Sequence, residues 1–122
     1  MNKGFKNLIA YQKAYKTAMD IFLLTKKFPK EETYSLTDQT RRSSRSVCSN
    51  IGEGYRKRQY PKHFSHKLSD ADGECSETMV WLDFCKDCGY IEKEVHEKLT
   101  SDCQEVGKLL NYMIQNPAIF SH

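Results

Sequence analysis

The chain has 122 residues, 39% hydrophobic and 29% charged, with seven Tyr, six Phe and one Trp. That length suits one domain around one hydrophobic core, and the apolar and aromatic content excludes a disordered chain. A net charge of +3 is too small to argue for nucleic acid by itself. No run approaches the roughly 20 apolar residues that cross a bilayer, and Met1 to Phe5 lacks the apolar segment of a secretory leader. A cytoplasmic protein with no membrane partner is therefore expected. Its five cysteines, Cys48, Cys75, Cys85, Cys88 and Cys103, would then be reduced thiols, most of them small core residues.

Three prolines, Pro29, Pro61 and Pro117, separate stretches whose apolar residues recur every three or four positions. The first stretch, about 7–27, places Leu8, Tyr11, Tyr15, Ala18, Phe22 and Thr25 on one helical face, with Asn7 as a possible cap. The second, about 36–58, aligns Leu36, Thr40, Ser43, Val47, Ile51 and Gly54, and its small residues would let another helix approach closely. Ser35 or Thr37 could cap it.

The third stretch opens at Pro61 and steps through Phe64, Leu68, Ala71, Cys75, Thr78, Leu82 and Cys85 to Gly89. The fourth, about 92–116, carries Val95, Leu99, Cys103, Val106, Leu110 and Met113, with a weak capping signal. With no alternating strand pattern or hairpin turn, the expected fold is all-α, an antiparallel up-and-down four-helix bundle forming a single domain over 1–122.

The charge is unevenly spread. Between Arg41 and Lys67 there are eight Lys or Arg against Glu53 alone, a local +7 in a chain of +3, leaving −4 for the rest. At about 100° per residue, Arg41, Arg45 and Arg56 fall within about 60° of one another, nearly opposite the Val47 and Ile51 stripe, with Arg42 beside them. Guanidinium forks pair bidentately with phosphate, so Arg41, Arg42, Arg45, Arg56, Lys57 and Arg58 form a candidate surface for an RNA backbone. A merely solvated charged face is the plain alternative.

The third helix carries Asp70, Asp72, Glu74, Glu77, Asp83 and Asp87, so a basic and an acidic helix could also pair between subunits, in a structural adaptor for a protein partner. Val80, Trp81 and Phe84 project away from the core stripe of that helix and form a candidate oligomer interface. His63 and His66 are expected on the surface near the basic patch.

No catalytic residue, cofactor or metal is expected. Cys85-Lys86-Asp87-Cys88 is a lone CxxC with no second pair and no histidines at ligand spacing. Glu53 has Arg56 and Lys57 one turn on as ordinary ion-pair partners, and Ser43, Ser44, Ser46 and Ser49 lack a base.

A group of local motifs is more specific: Phe5-Lys6-Asn7-Leu8, Tyr11-Gln12-Lys13-Ala14, Phe28-Pro29-Lys30-Glu31-Glu32, Tyr34-Ser35-Leu36, and Asn50-Ile51-Gly52-Glu53-Gly54. Together with Gly89-Tyr90-Ile91, these resemble the 23S ribosomal RNA intervening-sequence protein family over nearly the whole chain. The resemblance implies a four-helix bundle that assembles into a ring-like homopentamer, with a distant likeness to the accessory protein of diversity-generating retroelements. It implies no catalytic residue. The family signature Asn-Ile-Ala-Glu-Gly falls on Asn50 to Gly54, with Gly52 in the alanine position, and the usual Gly-Ser of the third helix becomes Gly73-Glu74.

Overall fold

The computed structural model describes residues 4–121; the expectation for Met1 to Lys3 lies outside the described residues. Four helices account for most of the chain: α1 (Ile9–Thr25), α2 (Leu36–Arg56), α3 (Pro61–Asp87) and α4 (Lys93–Gln115). Short 3-10 turns lie at Gly4–Asn7, Lys30–Glu32 and Pro117–Phe120. Each helix packs on the next in sequence and α4 returns against α1. This is an all-α, antiparallel up-and-down bundle, and no strand occurs among the described residues.

The core falls into two apolar clusters. One is centred on Ile51, Phe64, Leu68 and Leu110, the other on Ile21, Leu82, Cys85 and Leu99. Buried hydroxyls lie along the same inner faces: Thr17, Thr25, Thr40, Ser43, Ser44 and Thr78 are all nearly inaccessible. A hydroxyl buried without a partner would cost about 1–3 kcal/mol, and each of these is satisfied within its own helix. Thr17 donates to Lys13 O at 3.0 Å, Thr40 to Leu36 O at 2.7 Å, and Ser44 to Arg41 O at 3.0 Å. Thr78 lies 2.8 Å from Glu74 O and 2.9 Å from Ser43 Oγ, the second bond tying α3 to α2.

The buried stripes expected for α2 and α3 are all in the core, as are Leu99, Cys103, Val106, Leu110 and Met113 of α4. The first helix differs. Its buried face is Ala10, Ala14, Thr17, Ala18, Ile21 and Thr25, whereas Tyr15 is 53% exposed and Tyr11 and Phe22 are half-buried. The narrow alanine ridge fits close to the neighbouring helices, and the larger rings are displaced to the flank.

The helix ends also correct the sequence reading. Asn7 lies in the preceding turn, and α1 starts after Leu8. Ser35 holds the N-cap position of α2 without a side-chain cap; instead Glu32 Oε1 accepts the Leu36 N–H at 3.2 Å. Glu32 Oε2 also accepts the Tyr90 hydroxyl at 2.8 Å, which helps hold that phenol's pKa up at about 12. One carboxylate thus joins the start of α2 to the α3–α4 connection.

The α3 helix begins with Pro61 in its first turn and ends in a Schellman motif, with Tyr90 N–H on Cys85 O and Gly89 N–H on Lys86 O, both at 2.9 Å. Gly89 supplies the required left-handed backbone at φ +81°. The α2 helix ends at Arg56, two residues earlier than expected.

Gly52 and Gly54 give a direct test of this packing. A Cβ on Gly52 would reach only the Phe5 ring, at 3.7 Å, an ordinary contact. A Cβ on Gly54 would lie 3.1 Å from Lys67 Cβ and 3.6 Å from Phe64 O, where α3 crosses closely. Gly52→Ala should therefore gain about 0.5–1 kcal/mol of helix propensity, while Gly54→Ala should be less stable than Gly52→Ala. Denaturant unfolding of the two variants checks this; equal gains would remove the close α2–α3 crossing as a constraint.

Candidate nucleic-acid interface

The outer side of α2 meets the flank of α1, and the cations collect along this seam. Arg41 is half-buried, its Nε donating to Thr25 Oγ1 at 2.8 Å and its guanidinium lying 4.8 Å from the Phe22 ring centre. Arg45 lies 5.6 Å from the same centre and Lys26 Nζ lies 4.9 Å from it. Each such contact is worth about 0.5–1 kcal/mol at an exposed site, but together they bring three like charges to one ring. Among the described residues, none of the three is in an ion pair. Lys26 and Phe22 were not included in the sequence-based site. The adjacent Lys26-Lys27 at the end of the first amphipathic stretch was the available signal.

The remaining basic residues are differently placed. Arg42 is exposed and lies 3.8 Å from Asp38, one turn earlier on α2. Arg56 and Lys57 are exposed at the end of α2, where the helix dipole favours positive charge. Arg58 lies in the following turn with its guanidinium 4.2 Å from the Tyr55 ring centre and Nη1 donating to Tyr55 O at 3.1 Å. The six sequence-predicted residues thus divide between the Phe22 cluster, the α2–α3 side and the end of the helix.

Two grooves flank α2. The α1–α2 groove, about 630 Å³, has an apolar floor including Tyr11, Tyr15, Met19 and Cys48, with Arg45 and Arg56 at its edge. The α2–α3 groove, also about 630 Å³, is lined by Arg42 and Arg45 on one side and Glu74 and Glu77 on the other. The first is aromatic and basic, the second mixed in charge.

The signature residues have local structural roles. Asn50 Nδ2 donates to Ser46 O at 2.9 Å. Glu53 pairs with Lys67 of α3 at 2.7 Å, not with Arg56 or Lys57 as its spacing suggested, because the close crossing at Gly54 brings Lys67 alongside. The hydrogen bond and charge of Glu53 raise the Lys67 pKa.

These residues, the bundle and the crossing geometry accompany a match over residues 6–112 to the family described as 23S rRNA-intervening sequence protein. The chain belongs to that family. A solved structure, described as a protein with unknown function from the S23 ribosomal protein family of Bacteroides thetaiotaomicron, is 29% identical and superposes with a TM-score of 0.79. The match covers 88% of this chain and 96% of that one. No curated protein matches this chain.

On α3, Val80 and Phe84 are 48% and 52% exposed. Trp81 is half-buried against the second core cluster, with its ring centre 5.9 Å from that of Phe84. Its Nε1 is buried with no hydrogen-bond partner. His63 and His66 are exposed as expected, His66 lying 3.9 Å from Asp70.

The thiols are placed for packing. Cys85 is buried against Thr40 Oγ1 at 3.9 Å while Cys88 is exposed, so the CxxC pair does not share one environment. Burial pushes the thiols of Cys48 and Cys85 up to about 11 and that of Cys103 to about 12, and raises that of Cys75 further. No grouping of three or more metal-ligating side chains occurs among the described residues, and no helix there is long and apolar enough to cross a membrane.

Two measurements follow from these placements. Arg41→Ala should lower stability by about 1–2 kcal/mol because it removes the hydrogen bond to Thr25 Oγ1 and the half-buried side chain packed on the Phe22 ring, whereas Arg42→Ala should change it by less than about 0.5 kcal/mol. Denaturant melts distinguish the two. A colorimetric thiol titration of the folded protein near pH 8 should show Cys88 reacting first, with Cys75, Cys85 and Cys103 reacting only on unfolding; rapid reaction of these three would contradict their burial.

Proposed function

We propose that this protein is a non-catalytic homo-oligomer that binds RNA through the basic side of α2. The observation carrying this reading is the convergence of Lys26, Arg41 and Arg45 on the Phe22 ring without a carboxylate partner among the described residues. Their mutual repulsion is relieved when an anion sits between them, and phosphate matches the guanidinium fork. Arg56, Lys57 and Arg58 add positive charge at the C-terminal end of the same helix, suited to backbone contacts that carry no sequence information.

Self-association is supported by the exposed apolar side chains Val80 and Phe84, which burial against another copy would remove from water. The orphaned Trp81 Nε1 lies beside them. The family resemblance implies a pentamer. A structural adaptor, in which α2 meets the acidic α3 of a neighbouring subunit, is the competing reading; what supports it is that Arg42, Arg45, Glu74 and Glu77 line one open groove, which offers both signs of charge to a second surface.

Light-scattering mass with and without a mixed RNA pool tests the proposal. The wild type should be an oligomer that gains RNA mass, and binding should weaken steeply with salt as phosphate counterions compete. Arg45→Ala with Arg56→Ala should remain oligomeric and lose RNA. If that variant becomes monomeric and the wild type binds no RNA, the arginines hold subunits together and the adaptor reading replaces this one.

A further inference from the structure

The basic side of α2 shares its edge with a groove that phosphate contacts alone do not explain. The groove floor is apolar and aromatic, yet its rim is cationic. Tyr15 is 53% exposed and Met19 40%, while Tyr11 lies with its ring centre 6.0 Å from that of Tyr15. Arg45 and Arg56 stand on the α2 side. Glu53 also reaches this groove, but its carboxylate is engaged by Lys67 at 2.7 Å.

We infer that the α1–α2 groove takes the bases of single-stranded RNA, with Tyr15 as a stacking platform and the strand's phosphates on Arg45 and Arg56. This rests on the RNA-binding reading above and specifies which form of RNA it requires.

Three physical features favour that occupant. First, the groove combines aromatic faces, which accept any base, with a positive edge that follows a backbone, the pairing of features used for sequence-tolerant single-strand binding. Second, Tyr11 and Tyr15 are four residues apart, about 6 Å of helix rise, with their ring centres 6.0 Å apart. That is nearly twice the 3.4 Å per-strand spacing of a stacked duplex, so the platforms suit bases separated along an extended strand. Third, a duplex presents its phosphates outward with its bases enclosed, leaving the apolar floor unused. An acidic protein segment would satisfy Arg45 and Arg56 but gives the two tyrosine rings no planar partner.

Fluorescence anisotropy with an unstructured single-stranded RNA 12-mer and a duplex of the same length tests the inference, using wild type, Tyr15→Ala and Tyr15→Phe. A second single strand carrying 2-aminopurine reports stacking directly. The wild type should prefer the single strand by at least about tenfold, within the range of one base–aromatic stack. Tyr15→Ala should lose about tenfold on the single strand alone, and Tyr15→Phe should retain affinity and 2-aminopurine quenching. Circular dichroism melts establish that both variants are folded.

If the wild type binds strand and duplex equally and Tyr15→Ala changes neither, base stacking is overturned while backbone binding stands. Failure of the wild type to bind either RNA overturns both. Loss of self-association in Tyr15→Ala, without a specific loss of single-strand affinity, makes the groove a contact between copies and also overturns the inference.

Discussion

The close approach of α2 to its neighbours is the constraint on which the bundle depends. It requires small side chains on the inner face, and the small residues at Thr40, Ser43, Ser44 and Gly54 supply them. Hydroxyls at such positions are tolerable because a helix offers its own carbonyls three and four residues back. Thr40 uses the carbonyl of Leu36 and Ser44 that of Arg41, so no polar partner has to come from across the core. Thr78 adds one interhelical hydroxyl contact with Ser43, fixing the relative placement of α2 and α3. Large apolar side chains then fill the two clusters toward the ends.

That arrangement determines what reaches the surface. On α1 the alanine ridge takes the inner positions, and Tyr15 remains on the outer flank while Phe22 sits against α2. The Arg41 and Arg45 stems cross this flank and place their guanidinium groups against the Phe22 ring. Long cationic side chains can cover apolar surface in this way while keeping their charge near water. The aromatic and cationic character of the seam therefore follows from the same preference for small residues that allows the helices to pack.

The residue pattern made three of the four core stripes legible because α2, α3 and α4 repeat their buried positions every three or four residues. In α1, the usual association of large apolar side chains with burial favoured Tyr11, Tyr15 and Phe22. Helix proximity instead selected Ala10, Ala14 and Thr17 to join the expected Ala18 and Thr25, a steric choice visible only once the neighbours are in place. The row of arginines was legible from helical geometry, but Lys26 joins it from another element. Likewise, local spacing suggested partners for Glu53 on α2, whereas the Gly54 crossing delivers Lys67 from α3. Glu32 is a similar case: its separate contacts with Leu36 and Tyr90 depend on two connections meeting.

The acidic helix gives the basic row a direction. Glu74 and Glu77 share the α2–α3 groove with Arg42 and Arg45. On that side the fields of opposite charges partly cancel, and Arg42 has Asp38 on its own helix as well. On the α1 side the same Arg45 faces Phe22 and Lys26, and the nearest groove carboxylate, Glu53, is occupied by Lys67. The positive potential of α2 is consequently concentrated toward α1. On the RNA-binding reading proposed above, this asymmetry would guide an approaching anion to the side where aromatic surface is also exposed, and would leave the mixed-charge side better matched to another protein surface. One helix can thus present two chemically different edges because its neighbours, and not its own sequence alone, decide which of its charges remain uncompensated.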